Sequence, residues 1–159
     1  MILRLIFLLI LSASYAQESK FTILDLPKSL TENANSITKS ESTFVDVSDS
    51  GSQDVYYTKT ITILNSKGNS DINAFAFYDN NSKVKKLNAT IYDALGNKIK
   101  SFSKRDFRDV SAVSNGTLYS DNRVMYLDYT PITYPYTVVF EKETTSKTSA
   151  FIERWMPIE

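Results

Sequence analysis

Apolar and polar residues alternate along one segment of the chain after another, and this alternation constrains the fold more than any other feature. In the segment Val55–Leu64 the apolar residues share one face, which carries Val55, Tyr57, Ile61 and Ile63. The opposite face carries Tyr56 and threonines, and Lys59 is the exception on the apolar face. A period of two, with β-branched and aromatic residues, is typical of a strand that buries one face.

The strand pattern recurs in seven further segments: Ile37–Val47, Ile72–Tyr78, Val84–Tyr92, Ile99–Phe102, Val124–Tyr129, Tyr136–Glu141 and Ala150–Trp155. Turn residues separate several of them, and in the turn Asp93–Asn97 we expect Gly96 to adopt a left-handed conformation. The segment Lys104–Ser111 does not show the alternation of a strand, and it predicts one helical turn. The sequence therefore predicts an all-β fold, either an antiparallel β-sandwich or a strongly twisted sheet of about eight short strands, with at most one short helical turn.

The N-terminus has the three parts of a secretory signal peptide in order. Arg4 supplies the positive charge, Leu5–Leu11 is an apolar run too short to span a membrane, and Ser14 and Ala16 are small residues at the cleavage site. We expect residues 1–16 to be removed, residues 17–35 to form a loose leader or a short helix, and residues 36–159 to form one β domain. The mature chain has no second long apolar run, so we expect no membrane span and an exported protein of the periplasm, cell envelope or extracellular space.

The composition excludes several kinds of chemistry. The chain has no His and no Cys, which excludes a Ser-His-Asp triad, a Cys-His dyad, a Cys/His zinc site and a disulfide. The 18 basic and 18 acidic residues cancel, which argues against nucleic-acid binding driven by bulk charge. The Asp-rich stretch Asp46–Asp54 has Tyr57 where a calcium loop needs Glu, so it predicts a polar hairpin loop. We therefore expect no catalytic residues, no metal and no cofactor.

Four charged residues in the strand-poor middle of the chain form the candidate binding site: Asp106, Asp109, Asp121 and Arg123. Their structural interpretation is that the aspartates cap turns while the guanidinium of Arg123 pairs with Asp109 or Asp121. Their functional interpretation is a small polar pocket for a ligand, or a docking point for another domain.

Two alternative functions remain open at this point. A hydrolase working through paired carboxylates needs two acidic side chains about 5–10 Å apart in a cleft. A stand-alone module that binds envelope glycan or peptide would present an exposed row of tyrosines. The tyrosines at positions 126, 129, 134 and 136 are the candidates for such a row, although they would serve equally well in aromatic pairing between strands.

Five segments, taken in order, resemble the DUF3857 family. They are Lys59–Gly68, Ala89–Lys100, Asp106–Ser111, Tyr119–Arg123 and Tyr134–Val138. The similarity covers about Ile37–Trp155, which is most of the chain after the signal peptide.

The resemblance implies a context rather than an activity. DUF3857 domains are N-terminal domains of exported proteins, mostly from Bacteroidetes-type bacteria, and they usually continue into a transglutaminase-like, papain-type domain with a Cys-His-Asp site. The family domain has no established activity and usually runs a few strands past the point that corresponds to Glu159. We therefore expect either a truncated reading frame or a fragment of a larger protein. In both cases we expect a non-catalytic scaffold or docking module, whose partner is the downstream domain or another envelope protein.

Overall fold

The computed structural model describes residues 21–24, 26–49, 51–112 and 121–150. Within them, eight strands form two antiparallel sheets of five and three strands, accompanied by small helical pieces. The all-β prediction is confirmed. Of the predicted strand Ala150–Trp155, only Ala150 is described, and it is not in a strand.

The larger sheet has the strand order β1-β2-β8-β4-β5. Its strands are β1 (Ser36–Asp49), β2 (Ser52–Ile63), β4 (Ser82–Tyr92), β5 (Lys98–Phe102) and β8 (Tyr136–Ser146). The β1–β2 and β4–β5 pairs are hairpins, and Gly96 in the second hairpin has φ 83°, as predicted. β8 lies between β2 and β4, so the last described strand is at the centre of the sheet.

The smaller sheet has the strand order β3-β7-β6. Its strands are β3 (Phe75–Tyr78), β6 (Arg108–Ser111) and β7 (Arg123–Tyr126). All four residues of β6 are exposed, so β6 lacks the buried face that gives a strand its alternating pattern. This is why the sequence predicted a helical turn over the whole of Lys104–Ser111, whereas only Lys104–Asp106 is helical.

Within the described ranges, the helical content is three short pieces rather than one turn. α1 spans Lys28–Thr31 in the leader, where a short helix was one of the two expectations. Two 3-10 helices span Ser66–Ile72 and Lys104–Asp106. No helix among the described residues is long and apolar enough to cross a membrane.

The core lies between the two sheets. From the larger sheet it receives mainly the alternating residues of β2, β4 and β8, among them Ile61, Ile63, Leu87, Ile91, Val138 and Phe140, all at most 1% exposed. The smaller sheet contributes Ala76 and Met125. Lys59 is also buried on this face, and its Nζ donates to the carbonyl of Asp71 at 3.0 Å.

Phe21, near the start of the leader, packs on the opposite face of the larger sheet. The Phe21 ring stacks on Tyr92 at 4.2 Å, and the Phe21 carbonyl accepts from the Thr137 hydroxyl at 3.4 Å. Thr62 and Thr137 are fully buried there, with their hydroxyl oxygens 2.8 Å apart. The larger sheet is therefore buried on both faces around Thr62 and Thr137.

Candidate functional site

Two of the four predicted site residues meet on the inward face of the smaller sheet. In the register of this sheet, Arg123 on β7 lies opposite Tyr78 on β3 and Ser111 on β6. Asp109, two residues before Ser111, points to the same side because side chains alternate along a strand. Tyr78, Asp109 and Arg123 therefore converge from three strands, and we call them the triad.

Each member of the triad bonds to the other two. Arg123 Nε donates to Asp109 Oδ1 at 3.0 Å and to the Tyr78 hydroxyl at 2.9 Å. The Tyr78 hydroxyl donates to Asp109 Oδ2 at 2.6 Å. Arg123 thus pairs with Asp109, one of the two partners considered: Nε binds the carboxylate, and Nη2 donates to the Asp109 backbone carbonyl at 3.4 Å.

The hydrogen bonds of the triad shift the pKa values of Asp109 and Tyr78 in directions that keep these bonds formed at neutral pH. The hydrogen bond from Tyr78, followed by the one from Arg123, lowers the pKa of Asp109 below its ordinary value. The same bond to Asp109 raises the pKa of Tyr78, because ionising the phenol would remove the donor and place two anions side by side. Asp109 therefore remains a carboxylate and Tyr78 remains a neutral donor at neutral pH.

Asp106 is used to cap the 3-10 helix Lys104–Asp106. Its Oδ2 accepts from the backbone N–H of Ser103 at 2.8 Å and from the Ser103 hydroxyl at 2.7 Å. These bonds, with the hydroxyl first, lower the pKa of Asp106. This is the capping geometry of the structural interpretation.

Asp121 lies apart from the triad. It is exposed and precedes the first residue of β7 by two positions. Among the described residues, no hydrogen bond or ion pair joins it to Asp106, Asp109 or Arg123. The ligand-binding role of the four residues stays a prediction.

Tyr78 is the site residue that the sequence did not single out. It ends the predicted strand Ile72–Tyr78, and the alternating pattern of that strand accounts for an aromatic residue there without any further role. Only the pairing of β3 with β7 brings its hydroxyl to Arg123, and this pairing joins segments about 45 residues apart. No local signal marks it.

Two cavities flank Tyr78 between the sheets. One, of about 380 Å³, lies toward β2 and β8 and is lined by Gln53, Val55, Phe77, Asp79, Thr144 and Ser146, among others. The other, of about 370 Å³, lies toward β4 and is lined by Ser82, Lys83, Val84, Lys104, Asp109 and Met125, among others. Tyr78 lines both cavities.

The carboxylates beside these cavities are poorly suited to acid–base hydrolysis. Asp79 Oδ1 accepts from the backbone N–H groups of Asn81 and Ser82 and from the Ser82 hydroxyl, which is the main cause of its lowered pKa. Asp109 is held by Tyr78 and Arg123. A carboxylate pair in a glycosidase needs one member whose pKa is raised so that it can donate a proton. Both pKa values here are shifted the opposite way.

No group of three metal-binding side chains exists within the described ranges. The Asp-rich stretch falls in the β1–β2 hairpin, whose strands put Asp46 opposite Asp54. Asp54 binds Lys85 Nζ at 2.8 Å. The side chains at positions 48–50, within this stretch, lie outside the description.

The tyrosines near β7 and β8 do not form an exposed row. Tyr136 is 1% exposed, and the rings of Tyr129 and Tyr134 pack on it at 5.8 and 5.6 Å. Tyr126 is half-buried on β7. This arrangement is aromatic packing around the start of β8, so the feature expected of a glycan- or peptide-binding module is not found among these four residues.

Comparison with known proteins identifies the fold. Residues 49–157 match the family described as "Domain of Unknown Function with solved-structure structure (DUF3857)". The structure is similar to that of a "putative protease" from Parabacteroides distasonis, with a TM-score of 0.59 and 13% sequence identity. The similarity covers 74% of this chain but 24% of the Parabacteroides chain. No curated protein matches the sequence.

Proposed function

Because the chain belongs to the DUF3857 family, we propose that it is a non-catalytic module of a larger exported bacterial protein, where it positions a neighbouring transglutaminase-like, papain-type domain. The module acts by surface packing, and the neighbouring domain carries out the chemistry. A longer chain of this kind would supply the cysteine and histidine that this sequence lacks.

One observation carries the proposal: the same fold occupies about a quarter of the Parabacteroides protein. A fold that recurs as a fraction of a longer chain is a building block, and its site must be judged by its own residues. Here the acidic residues beside the cavities are held in turn and triad bonds, which supports a structural rather than a catalytic role.

The outward face of the smaller sheet is the surface best suited to this packing. The register aligns Phe77, Val124 and Val110 in one row across the three strands, and Phe75 lies beside Tyr126 in the next. Phe77 is 59% exposed and Val110 is 40% exposed. A contiguous apolar patch on a sheet face is typical of a surface that another domain covers.

Export is part of the proposal and rests on the signal-peptide pattern of residues 1–16. A periplasmic or envelope location agrees with a chain that folds without cysteine. Cleavage after Ala16 would leave Gln17 as the first residue of the mature protein.

The mass of the native protein in fractionated source cells tests the proposal first. An antibody against residues 36–112 should detect, in the envelope or periplasmic fraction, a band several times heavier than the 18.0 kDa of this chain. A band at or below 18.0 kDa would overturn the positioning role and favour a stand-alone module, and a cytoplasmic band would overturn export.

The packing surface is tested in that longer native protein. Phe77→Ser with Val110→Ser should open the junction between the domains and speed its cleavage by an added protease. Ile132→Ser is the matched control, because Ile132 is 94% exposed and lies outside the patch. Equal cleavage rates in the two variants would remove this face as the packing surface.

A further inference from the structure

A third cavity lies at the end of the smaller sheet that is opposite the triad, and we call it the end pocket. Its volume is about 250 Å³, and its lining comes from the segment before β3, from β3 and β7, and from the segment after β7. Pockets for drug-sized ligands measure about 300–1,000 Å³, so the end pocket suits a single ring. None of its lining residues within the described ranges carries a charge, which favours an uncharged ligand.

Three aromatic side chains line the end pocket, and the surrounding structure holds them in place. Phe75 on β3 lies opposite Tyr126 on β7. The third is Tyr129, whose ring packs on Phe102 and on Tyr136, each with 5.8 Å between ring centroids. Because these walls are ordered before a ligand arrives, binding costs little conformational entropy.

The polar side chains of the end pocket have hydrogen-bonding capacity left for a ligand. Asn69 joins two tyrosines: its Nδ2 donates to the Tyr134 hydroxyl at 2.7 Å, and its Oδ1 accepts from the Tyr136 hydroxyl at 2.8 Å. An amide nitrogen carries two hydrogens, so one remains for a further acceptor. In the described part of the chain, no hydrogen bond engages the side-chain amide of Asn73 or the hydroxyl of Tyr129.

The Tyr129 hydroxyl is the group that gains most from a ligand. Burial, followed by the neighbouring Tyr134, raises its pKa above the ordinary tyrosine value. The hydroxyl has therefore lost part of its hydration without a hydrogen-bond partner among the described residues, and this is unfavourable. A ligand hydroxyl in the end pocket supplies such a partner.

We propose that the end pocket binds one uncharged hexopyranose ring, as a free sugar or as a unit of a glycan. Such a ring has apolar C–H faces that pack on aromatic side chains, and its hydroxyl groups both donate and accept hydrogen bonds. Phe75 and Tyr126 provide the aromatic surface. Asn69, Asn73 and the Tyr129 hydroxyl provide donors and acceptors around it.

The end pocket and the packing surface can be occupied at the same time. The exposed row of Phe77, Val124 and Val110 lies two positions nearer the triad along each strand and does not line the end pocket. Sugar binding is therefore independent of the positioning role. A chain that binds no sugar could still position a neighbouring domain, so the two proposals fail separately.

Titration of the full chain with methyl glycosides tests the proposal. The probes are the methyl glycosides of glucose, galactose, mannose and N-acetylglucosamine, with glucuronate as the charged counterpart, and NMR follows the backbone amide shifts. We expect at least one neutral glycoside to saturate with a millimolar Kd, as is usual for a ligand of about a dozen non-hydrogen atoms, and to shift amides within residues 69–75 and 126–129. Glucuronate should bind more weakly, because no cation lining the pocket offsets the desolvation of its carboxylate.

Two pairs of variants locate the site. Asn73→Gly removes the amide without straining the backbone, because Asn73 has φ 49°, a left-handed conformation that glycine adopts readily. Asn33→Gly is its matched control, since Asn33 is exposed, has φ 67° and lies outside the end pocket. Tyr129→Phe removes the hydroxyl and keeps the ring, and Tyr56→Phe, at an exposed tyrosine on β2, is its control.

Asn73→Gly and Tyr129→Phe should each raise the Kd about three- to tenfold, the effect of losing one hydrogen bond, while the two controls leave it unchanged. Both pocket variants should keep the parent urea midpoint, which separates a binding defect from misfolding. The proposal is overturned if no neutral glycoside saturates, if the shifted amides lie away from the end pocket, or if pocket and control variants bind equally well.

Further ligands identify the chemical class and its source. Glucuronate that binds as tightly as the neutral glycosides would overturn the uncharged ligand class, and N-acetylalaninamide that binds in their place would overturn the proposal in favour of a peptide. Binding of both a free sugar and its methyl glycoside supports a glycan unit as the ligand. Binding of the free sugar alone supports a free sugar, because the methyl group then blocks the pocket.

Discussion

The hydroxyl of Tyr78 donates to Asp109 Oδ2 at 2.6 Å and accepts from Arg123 Nε at 2.9 Å, so one phenol oxygen joins all three strands of the smaller sheet. β3 and β6 are four residues each and do not touch in the ladder, since β7 separates them. The triad joins β3 to β6 across β7. Because it lies between two cavities, few apolar contacts are available there to hold these two strands together. We therefore assign the triad a bracing role.

Removing the Tyr78 hydroxyl should loosen this brace. Tyr78→Phe keeps the ring and deletes two hydrogen bonds of a partly exposed group, which should lower the free energy of unfolding by about 0.5–1.5 kcal/mol. The measurement is the urea midpoint of the purified chain. Tyr126→Phe, on the outward face of the same sheet, is the matched control, and an equal loss in both variants would contradict the bracing role.

The triad should also make stability depend on pH at the acid end. The pKa of Asp109 is lower in the folded chain than in the unfolded chain, so its contribution is present above the ordinary Asp value and is lost as the pH falls through the folded-state value. Asp109 and Arg123 are 36% and 43% exposed, so solvent screening keeps this contribution below about 1 kcal/mol.

Asp109→Asn tests this pH dependence. The difference in unfolding free energy between the parent chain and the variant should be largest above about pH 5 and should shrink toward pH 2. Asp121→Asn, at an exposed position outside the triad, is the control. A difference that stays constant from pH 7 to pH 2 would show that the Asp109 charge has no part in the effect.

Lys59 should be replaceable by a residue that keeps its aliphatic stem. It is 8% exposed on the core face of β2, with Nζ bonded to the Asp71 carbonyl. Lys59→Met loses that bond but no longer desolvates a charge, so the net change in stability should stay within about 1 kcal/mol. Lys59→Ala also removes the packing of the stem and should cost about 2 kcal/mol or more by thermal or urea unfolding. Equal effects of the two variants would show that the charge, not the stem, sets the cost.

The fold class was predictable because the strands that build the core carry the pattern themselves. In β2, the predicted apolar face is the one that places Val55, Ile61 and Ile63 in the interior. Gly96 marked its turn because a left-handed residue there favours glycine.

What the sequence did not predict depends on contacts between distant segments. β6 has no buried face, so nothing in Arg108–Ser111 distinguishes it from a turn. The insertion of β8 between β2 and β4 is a matter of topology. Thr62 is buried because the leader residue Phe21 reaches the outer face of the sheet. The alternating pattern alone predicts that this threonine faces solvent.

The candidate site also has a part that depends on local sequence and a part that depends on distant contacts. Charge and a place in the strand-poor middle were enough to select Asp109 and Arg123, but they left the partner of Arg123 open between Asp109 and Asp121. They were not enough to identify Tyr78, because its partner strand lies far along the chain. Asp106 belonged to a local motif, and its cap with Ser103 needs no distant partner. Local motifs were therefore accessible from the sequence, and cross-strand assemblies were accessible only in part.

Gly68 should be the glycine least tolerant of a side chain. It is buried in the 3-10 helix Ser66–Ile72, and a Cβ there would lie 2.8 Å from the carbonyl carbon of Asn35, closer still to its oxygen. That oxygen accepts from Leu64 N–H at 2.9 Å, so moving Asn35 aside would break a bond at the start of the β1–β2 ladder.

Gly68→Ala should therefore lower the free energy of unfolding by about 1–3 kcal/mol, the usual cost of overpacking against an atom that cannot yield. Gly51→Ala, in the exposed β1–β2 turn, should change it by less than about 0.5 kcal/mol. Urea midpoints of the two variants and the parent chain decide the matter. If Gly68→Ala unfolds at the parent midpoint, the 3-10 helix can shift away from Asn35 at little cost. The close contact between Gly68 and Asn35 then does not contribute to stability.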